Sequence, residues 1–152
     1  MYMKDEEYPQ VYLYRRVVNA KLFIDLHYAE AIDLDNITNE AHFSKFHFIR
    51  LFRKIYGKTP YQYVTTVRIE KAMQLLRSGI SVSDVCYQVG FESISSFSGL
   101  FKRIAGIAPS AYSSRQRALQ DRVAKEPLGF VPGCFAGKNG WAKKQFSRND
   151  PA

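Results

Sequence analysis

Basic and aromatic residues recur in two stretches of this sequence that contain no aspartate or glutamate. The stretches run from Lys45 to Lys58 and from Ser93 to Arg117. In the first, Phe46, Ile49 and Arg50 fall on one side of a predicted helix, because neighbours on a helix surface are three or four residues apart. An arginine can bond the O6 and N7 atoms of guanine, and an apolar side chain can contact a thymine methyl group. These residue types therefore suit a protein that reads the base edges of a nucleic acid.

The distribution of charge also favours a polyanionic partner. The chain carries a net charge of +8, but residues 1–44 sum to −4 and the remainder therefore sums to +12. A single basic stretch is also explained by an ordinary solvated surface. Two basic stretches at equivalent positions of a repeat favour nucleic acid as the partner.

A repeated pattern supplies the elements that position these residues. Residues 32–43 match residues 80–91 at a shift of 48, and residues 52–60 match residues 101–109 at a shift of 49. Each copy reads as a short helix, a turn, a longer helix, a glycine stop and a proline that opens the next helix. Two helix-turn-helix units joined by one helix are therefore expected.

The chain as a whole is predicted to be all-α, with about seven helices. A loose lead-in at residues 1–13 and a basic, irregular tail at 119–152 flank a double helix-turn-helix domain at 14–118. Within the domain, the first unit covers 14–58, the linker helix 59–79 and the second unit 80–118. The predicted helices run approximately from Tyr14 to Tyr28, Leu34 to Ala41, Ser44 to Tyr56, Pro60 to Ser78, Val82 to Val89, Ser93 to Ala105 and Pro109 to Ala118.

Apolar periodicity predicts which face of each helix is buried. In the first helix, the expected apolar face comprises Val17, Val18, Leu22, Phe23, Ile24 and Leu26. In the two longer helices of the repeats, the expected inward stripes are Phe48, Leu51, Phe52 and Ile55, and Phe97, Leu100, Phe101 and Ile104. Thr59 and Gln62 predict a capping box for the linker helix, with Pro60 at its first position.

The pattern resembles the AraC family of bacterial transcription regulators, over roughly Val17 to Arg117. The resemblance is carried by the runs Ser44 to Phe52, Arg68 to Leu76 and Gly90 to Ser93, together with Phe97, Phe101, Lys102, Arg103, Gly106, Pro109 and Tyr112. It implies a seven-helix, two-unit DNA-binding domain whose recognition helices lie in successive major grooves on one face of the DNA.

By position, the resemblance implies which side chains read bases. In the two units these are Lys45, Phe46, Ile49 and Arg50, and Ile94, Ser95, Ser98 and Gly99. The residues expected to contact phosphates are His47, Arg53, Lys54, Lys102 and Arg103.

The chain also departs from the family pattern. The family usually has Arg or Lys in place of Gly99, Ser or Thr in place of Ala108, and often Arg in place of Ser113. Full-length members usually carry an effector-binding domain for which 152 residues leave no room. The resemblance therefore implies a short, effector-free form without a cofactor or a small-molecule site.

The expected function is that of a cytoplasmic, sequence-specific regulator that binds double-stranded DNA as a monomer or weak homodimer, with RNA polymerase as a partner. An alternative is a protein-interaction module, or a degenerate DNA reader, acting through RNA polymerase or another regulator. Gly99 and the serines of the second longer helix favour that alternative. A third class, an alkyl-transfer repair enzyme, requires a thiol in an electropositive setting, and Cys134 has no basic neighbour within two residues.

Other activities are not expected from the sequence. No nucleophile–base pair or phosphate-binding glycine loop is present, so we do not expect an enzyme. His42 and His47 lack a carboxylate at ligand spacing, which argues against a metal site. Cys86 and Cys134 show no paired spacing, and Cys86 is expected to be buried and reduced. The sequence contains neither a signal-peptide core nor an apolar run of about 18 residues, so no membrane span is expected.

Several side chains have a structural interpretation beside the functional one. Phe46 and Ile49 belong to the core if the helix is rotated from its expected phase. Arg50 is alternatively a surface ion-pair partner. On the linker, Arg68, Glu70 and Lys71 are expected to form structural pairs rather than DNA contacts.

Overall fold

The computed structural model describes residues 7–33, 35 and 44–140, and every regular element within them is helical. The all-α class is therefore confirmed. The elements are α1 (Glu7–His27), α2 (Lys45–Tyr56), α3 (Pro60–Arg77), α4 (Val82–Gln88), α5 (Ile94–Ala105), α6 (Pro109–Lys125), a 3₁₀ turn (Pro127–Phe130) and α7 (Gly133–Lys138). The short helix predicted from Leu34 to Ala41 lies outside the described residues, except for Asp35.

Two hydrophobic cores, one for each helix-turn-helix unit, share the linker helix α3. The first contains Val17, Ala20 and Ile24 of α1, Phe48 and Phe52 of α2, and Val64 of α3. The second contains Ile69, Ala72 and Leu76 of α3, Val85, Cys86 and Val89, and Phe97 and Phe101 of α5. Because α3 contributes apolar side chains to both cores, it connects one unit to the other. With 18 residues and a rise of ~1.5 Å per residue, it is roughly 27 Å long.

The start of α3 has the capping box that its sequence predicts. The Thr59 hydroxyl accepts a hydrogen bond from the Gln62 backbone N–H at 3.3 Å, and the Gln62 side chain accepts one from the Thr59 N–H at 3.0 Å. Pro60, at the first helical position, has no N–H that needs a partner. These local contacts determine where the linker helix begins.

The predicted buried face of α1 is only partly correct. Val17 and Ile24 are buried, but Val18, Leu22, Phe23 and Leu26 are exposed, and Leu26 reaches 78% exposure. Ala20 completes the buried face instead. A helix that packs on one core buries a single stripe, and α1 is apolar on more than one side. It also begins at Glu7, so the predicted lead-in is helical from that residue.

The inward stripes of the two longer helices are correct except in their last turns. Ile55 and Ile104 were expected to be buried, but they are 37% and 41% exposed. Tyr56 and Ala105 pack against the two cores at these helix ends. In the first unit the reason is an aromatic contact, because the Tyr56 ring lies 5.9 Å from the ring of Tyr63 on α3.

The chain divides into two compact units, Met1–Ser113 and Ser114–Ala152. The last helix of the domain was predicted to end near Ala118, but α6 continues to Lys125. Residues 119–125 contain no helix-breaking residue, and the first proline after them is Pro127. The prediction of an irregular tail is therefore wrong for residues 119–125 and for the helical turns up to Lys138. Residues 141–152 lie outside the described part of the chain.

Candidate nucleic-acid interface

The two longer helices, α2 and α5, have the same design. Each contains 12 residues, begins after a serine N-cap and ends at a glycine in the left-handed region. Ser44 accepts a hydrogen bond from the His47 N–H, and Ser93 accepts one from the Ser96 N–H. Gly57 has φ 73° and Gly106 has φ 81°, a conformation that side chains disfavour. The shift of 49 residues therefore relates the two helices position by position.

Aromatic pairs fix the orientation of both helices. Phe48 and Phe52 are buried in the first core with ring centroids 5.9 Å apart, and Phe97 and Phe101 are buried in the second at 5.6 Å. Tyr112 contacts Phe101 edge to face at 5.6 Å. Because the aromatic side of each helix is held in a core, the opposite side is presented outward.

The outward side of α2 carries most of the residues predicted to read bases. Phe46 is 77% exposed and Arg50 is exposed, so the interpretation of Phe46 as a core residue is wrong. Ile49 departs from the prediction, since it is half-buried and packs against the first core. Lys45 is exposed and forms an ion pair with Asp35.

The outward side of α5 is less bulky. Ile94 is 41% exposed, Ser95 and Gly99 are exposed, and Ser98 is half-buried. An added Cβ at Gly99 meets no atom within 4 Å, so nothing in the surrounding protein requires glycine there. At the shift of 49, Gly99 is the counterpart of Arg50. The two helices therefore differ at a position that faces outward in both.

Both helices carry the predicted phosphate-binding cations in their last turns. Arg53 and Lys54 in α2 correspond to Lys102 and Arg103 in α5, and all four are exposed. His47 is also exposed, in the first turn of α2. Among residues 7–33, 35 and 44–140, Arg50 and these four cations form no ion pair. Their charge is available to an anionic ligand.

Side chains of the linker have structural partners. Arg68 donates hydrogen bonds to the backbone carbonyls of Tyr28 and Glu30, rather than to an acidic side chain. Tyr63 donates to Asp25 Oδ1 at 2.8 Å, and Lys21 donates to Asp25 Oδ2. The contacts of Arg68 and Tyr63 could not be predicted from the sequence, because they join residues about 40 apart in the chain and no periodic pattern marks them.

The described residues offer little for other chemistry. Neither a group of three or more potential metal-ligating residues nor a helix long and apolar enough to cross a bilayer occurs among them. His42 lies outside the described residues. Cys86 is buried and free, as predicted, and burial raises the pKa of its thiol. Cys134 is free and exposed.

Comparisons with known proteins agree with this arrangement. Residues 37–115 match a family model described as a helix-turn-helix domain. The chain is 38% identical over 92 residues to the MmsAB operon regulatory protein of Pseudomonas aeruginosa, covering 60% of this chain and 30% of that protein. It is 32% identical over 107 residues to the HTH-type transcriptional activator AarP of Providencia stuartii, covering 70% of this chain and 79% of that protein.

A solved structure shares the fold. The DNA-binding domain of AdpA, described as a global transcriptional factor in complex with a target DNA, superposes with a TM-score of 0.65 at 30% identity. The match covers 70% of this chain and 96% of that domain. The chain spans about a third or less of the length of other curated regulators that it matches, such as the MmsAB regulator.

Proposed function

The chain belongs to the AraC family of helix-turn-helix regulators, and from that premise we propose that it is a sequence-specific, double-stranded DNA-binding transcription regulator. Residues 14–118 form the DNA-binding domain in this proposal. The observation that carries it is the pair of equivalent helices, α2 and α5, each anchored by buried phenylalanines and each exposing a cationic outer side.

The proposed complex places α2 and α5 in successive major grooves, about 34 Å apart along the DNA. Affinity comes largely from the exposed cations at the ends of both helices, because each phosphate contact releases condensed counterions. Base choice comes mainly from Arg50 and Phe46, which suit guanine and the thymine methyl group respectively. The likeness to the DNA-bound AdpA domain supports this arrangement.

We further propose that the protein acts in the cytoplasm as a monomer or weak homodimer, that it contacts RNA polymerase, and that it is not an enzyme. The MmsAB regulator and AarP are named as transcription regulators, which supports the absence of catalysis, whereas AdaA of Bacillus subtilis, 30% identical over 91 residues, is named as a bifunctional transcriptional activator and DNA repair enzyme. Cys134, the thiol considered for alkyl transfer, is exposed but has no basic residue within two positions of it in the sequence, so the electropositive setting that a reactive thiolate needs is not supplied by its sequence neighbours. The competing hypothesis of a protein-interaction module depends on the small residues of α5, and it predicts no specific DNA binding.

The deciding experiment is selection of bound duplexes from random DNA, followed by affinity measurements over a range of salt concentrations. If about six phosphates are neutralised, log K against log salt is expected to have a slope near −5. Arg50→Ala should weaken binding by about 1–3 kcal/mol and relax one base position. Arg50→Lys is the matched control, because it keeps the charge and loses the bidentate geometry.

These measurements separate the DNA-binding regulator from the protein-interaction module. Arg50→Lys should retain the salt slope and lose part of the preference for guanine, whereas Arg50→Ala should lose that preference and lower the slope slightly. Failure to select any sequence, with a slope shallower than about −2, would favour the interaction module.

A further inference from the structure

The segment that follows α1, residues 28–30, contacts the second helix-turn-helix unit although α1 covers the first. Val17, Ala20 and Ile24 of α1 pack with Phe48 and Phe52 of the first recognition helix. Tyr28, one residue beyond the end of α1, packs instead against the second core. Together, α1 and the segment that follows it therefore contact both units, as α3 does.

Arg68 of α3 holds this segment at the second unit. Its Nε donates a hydrogen bond to the Tyr28 carbonyl at 2.6 Å, and its Nη2 donates to the Glu30 carbonyl at 2.9 Å. The guanidinium carbon lies 5.7 Å from the ring centroid of Phe91. Burial lowers the pKa of the guanidinium, which reflects its partial removal from water. Hydrogen bonds from a charged donor are stronger in such surroundings.

Contacts then continue from Phe91 into the second recognition helix. The Phe91 ring lies 5.3 Å from the ring of Phe97, which is fully buried in α5. Lys71, one turn after Arg68 on α3, lies over the Tyr28 ring at 5.9 Å. A path of packed groups thus joins the end of α1 to the helix proposed to enter the second groove.

Gly90 allows the close approach on which this path depends. It adopts φ 91° in the turn before Phe91, and an added Cβ would lie 2.6 Å from the Ala29 carbonyl oxygen. It would also lie 2.9 Å from the Ala29 carbonyl carbon. Because these are backbone atoms, any side chain at position 90 would push residues 28–30 away from the second unit.

We propose that Arg68 is a positioning residue that locks residues 28–30 onto the Gly90 turn and thereby fixes the distance and helical phase between the two recognition helices. The site spacing that the protein accepts on DNA then follows from this lock, and that consequence rests on the proposed function. Without it, α3 would be the sole rigid connection and the units would rock about it.

A distance measurement tests the lock without DNA. Spin labels are attached at Lys54→Cys and Arg103→Cys, which are exposed and equivalent in the two units, with Cys134→Ser removing the exposed native thiol. The unaltered protein should give one narrow distance distribution. Arg68→Met, which keeps the length and removes the donors, should broaden it at least about two-fold.

Arg77→Met is the matched control for charge and helix. Arg77 lies on α3 as well, but it donates to the Tyr112 hydroxyl, within the second unit, at 2.7 Å. This variant should leave the distance distribution narrow. If Arg68→Met fails to fold, Arg68→Lys provides the test, because lysine cannot hold both carbonyls in a fixed fork and should give an intermediate width. A distribution as narrow as that of the unaltered protein, in whichever Arg68 variant folds, overturns the proposal.

A second measurement uses duplexes in which the spacing between the two selected half-sites changes by one or two base pairs. The unaltered protein should lose about tenfold in affinity for each added base pair, because a rigid reader cannot follow the displaced groove. Arg68→Met should bind every spacing within about threefold, with affinity for an isolated half-site unchanged. A spacing profile in Arg68→Met as steep as in the unaltered protein contradicts the proposal. If no duplex is bound at all, the proposed function fails, while the label distances still decide the lock.

Discussion

Gly99→Arg tests whether the second recognition helix lacks a base reader because of a single residue. Gly99 is the counterpart of Arg50, it is exposed, and no atom lies within 4 Å of an added Cβ. An arginine at this position therefore fits without strain. Replacing an interior helical glycine should stabilise the fold by about 1 kcal/mol. A new bidentate contact with guanine should add about 1–3 kcal/mol of discrimination in the second half-site.

Gly99→Ala separates these two effects. It should give the same gain in stability, corresponding to a rise in melting temperature of about 4–8 °C for a domain of this size. It should add no base preference, because a methyl group does not reach a base edge. The assay is a selected-site profile of the unaltered protein and both variants, with melting temperatures measured in parallel.

The unaltered protein should read its two half-sites unequally. Most of the sequence information should lie in the half-site bound by α2, because α5 presents short side chains there. Equal information in both half-sites of the unaltered protein would refute this, as would an unchanged profile in Gly99→Arg. An equal rise in affinity for Gly99→Ala and Gly99→Arg would attribute the gain to helix stability alone.

Two further predictions follow from single side chains. Phe46→Ala should lose a thymine preference and leave the circular dichroism spectrum unchanged, because the ring is 77% exposed. Phe48→Ala, at 2% exposure, should instead cost about 3–5 kcal/mol of stability. Unfolding of the Phe46 variant would mean that its ring is part of the core. Burial and its hydrogen bond to Asp25 raise the pKa of Tyr63, so the neutral phenol stabilises the fold below about pH 10 and this stabilisation is lost as pH rises through the folded pKa. In denaturant titrations, the unfolding free energy of Tyr63→Phe should therefore fall less steeply as the pH rises above about 10. Tyr61→Phe, at an exposed position, should keep the full decrease. Identical pH profiles for the two variants would mean that Tyr63 is not the group responsible.

Local signals explain what could be predicted from the sequence. Serine before a helix and glycine after it satisfy backbone groups within one turn, so Ser93 and Gly106 are recognisable without tertiary information. The buried phenylalanines follow from spacing in the same way. Spacing does not predict the last turn of α2 correctly. Ile55 is exposed there, while Tyr56 packs inward because its ring contacts the ring of Tyr63 on α3.

Non-local backbone contacts explain what could not be predicted. Arg68 was expected to have a structural role, but its partners are two carbonyl groups, and a carbonyl has no sequence signature. The buried face of α1 was ambiguous because apolar residues occur on several sides of it. Six of the eight residues predicted to read bases are exposed, because the aromatic side of their helix is held in a core. Ile49 and Ser98 are half-buried, and Ile49 packs against the first core.

The two repeats share what folding and phosphate binding require, and they differ where bases would be read. Caps, buried phenylalanines and terminal cations recur in α2 and α5, while Arg50 is matched by Gly99. Because α5 has few base contacts, it adds specificity only if the protein holds it at a fixed distance from α2 on the DNA. A loosely attached second unit would accept many spacings. The lock at Arg68 supplies that constraint in our proposal. Sequence preference in the second half-site should then appear mainly as a preference for its distance from the first, and loosening the lock should abolish that preference while the first half-site is still read normally.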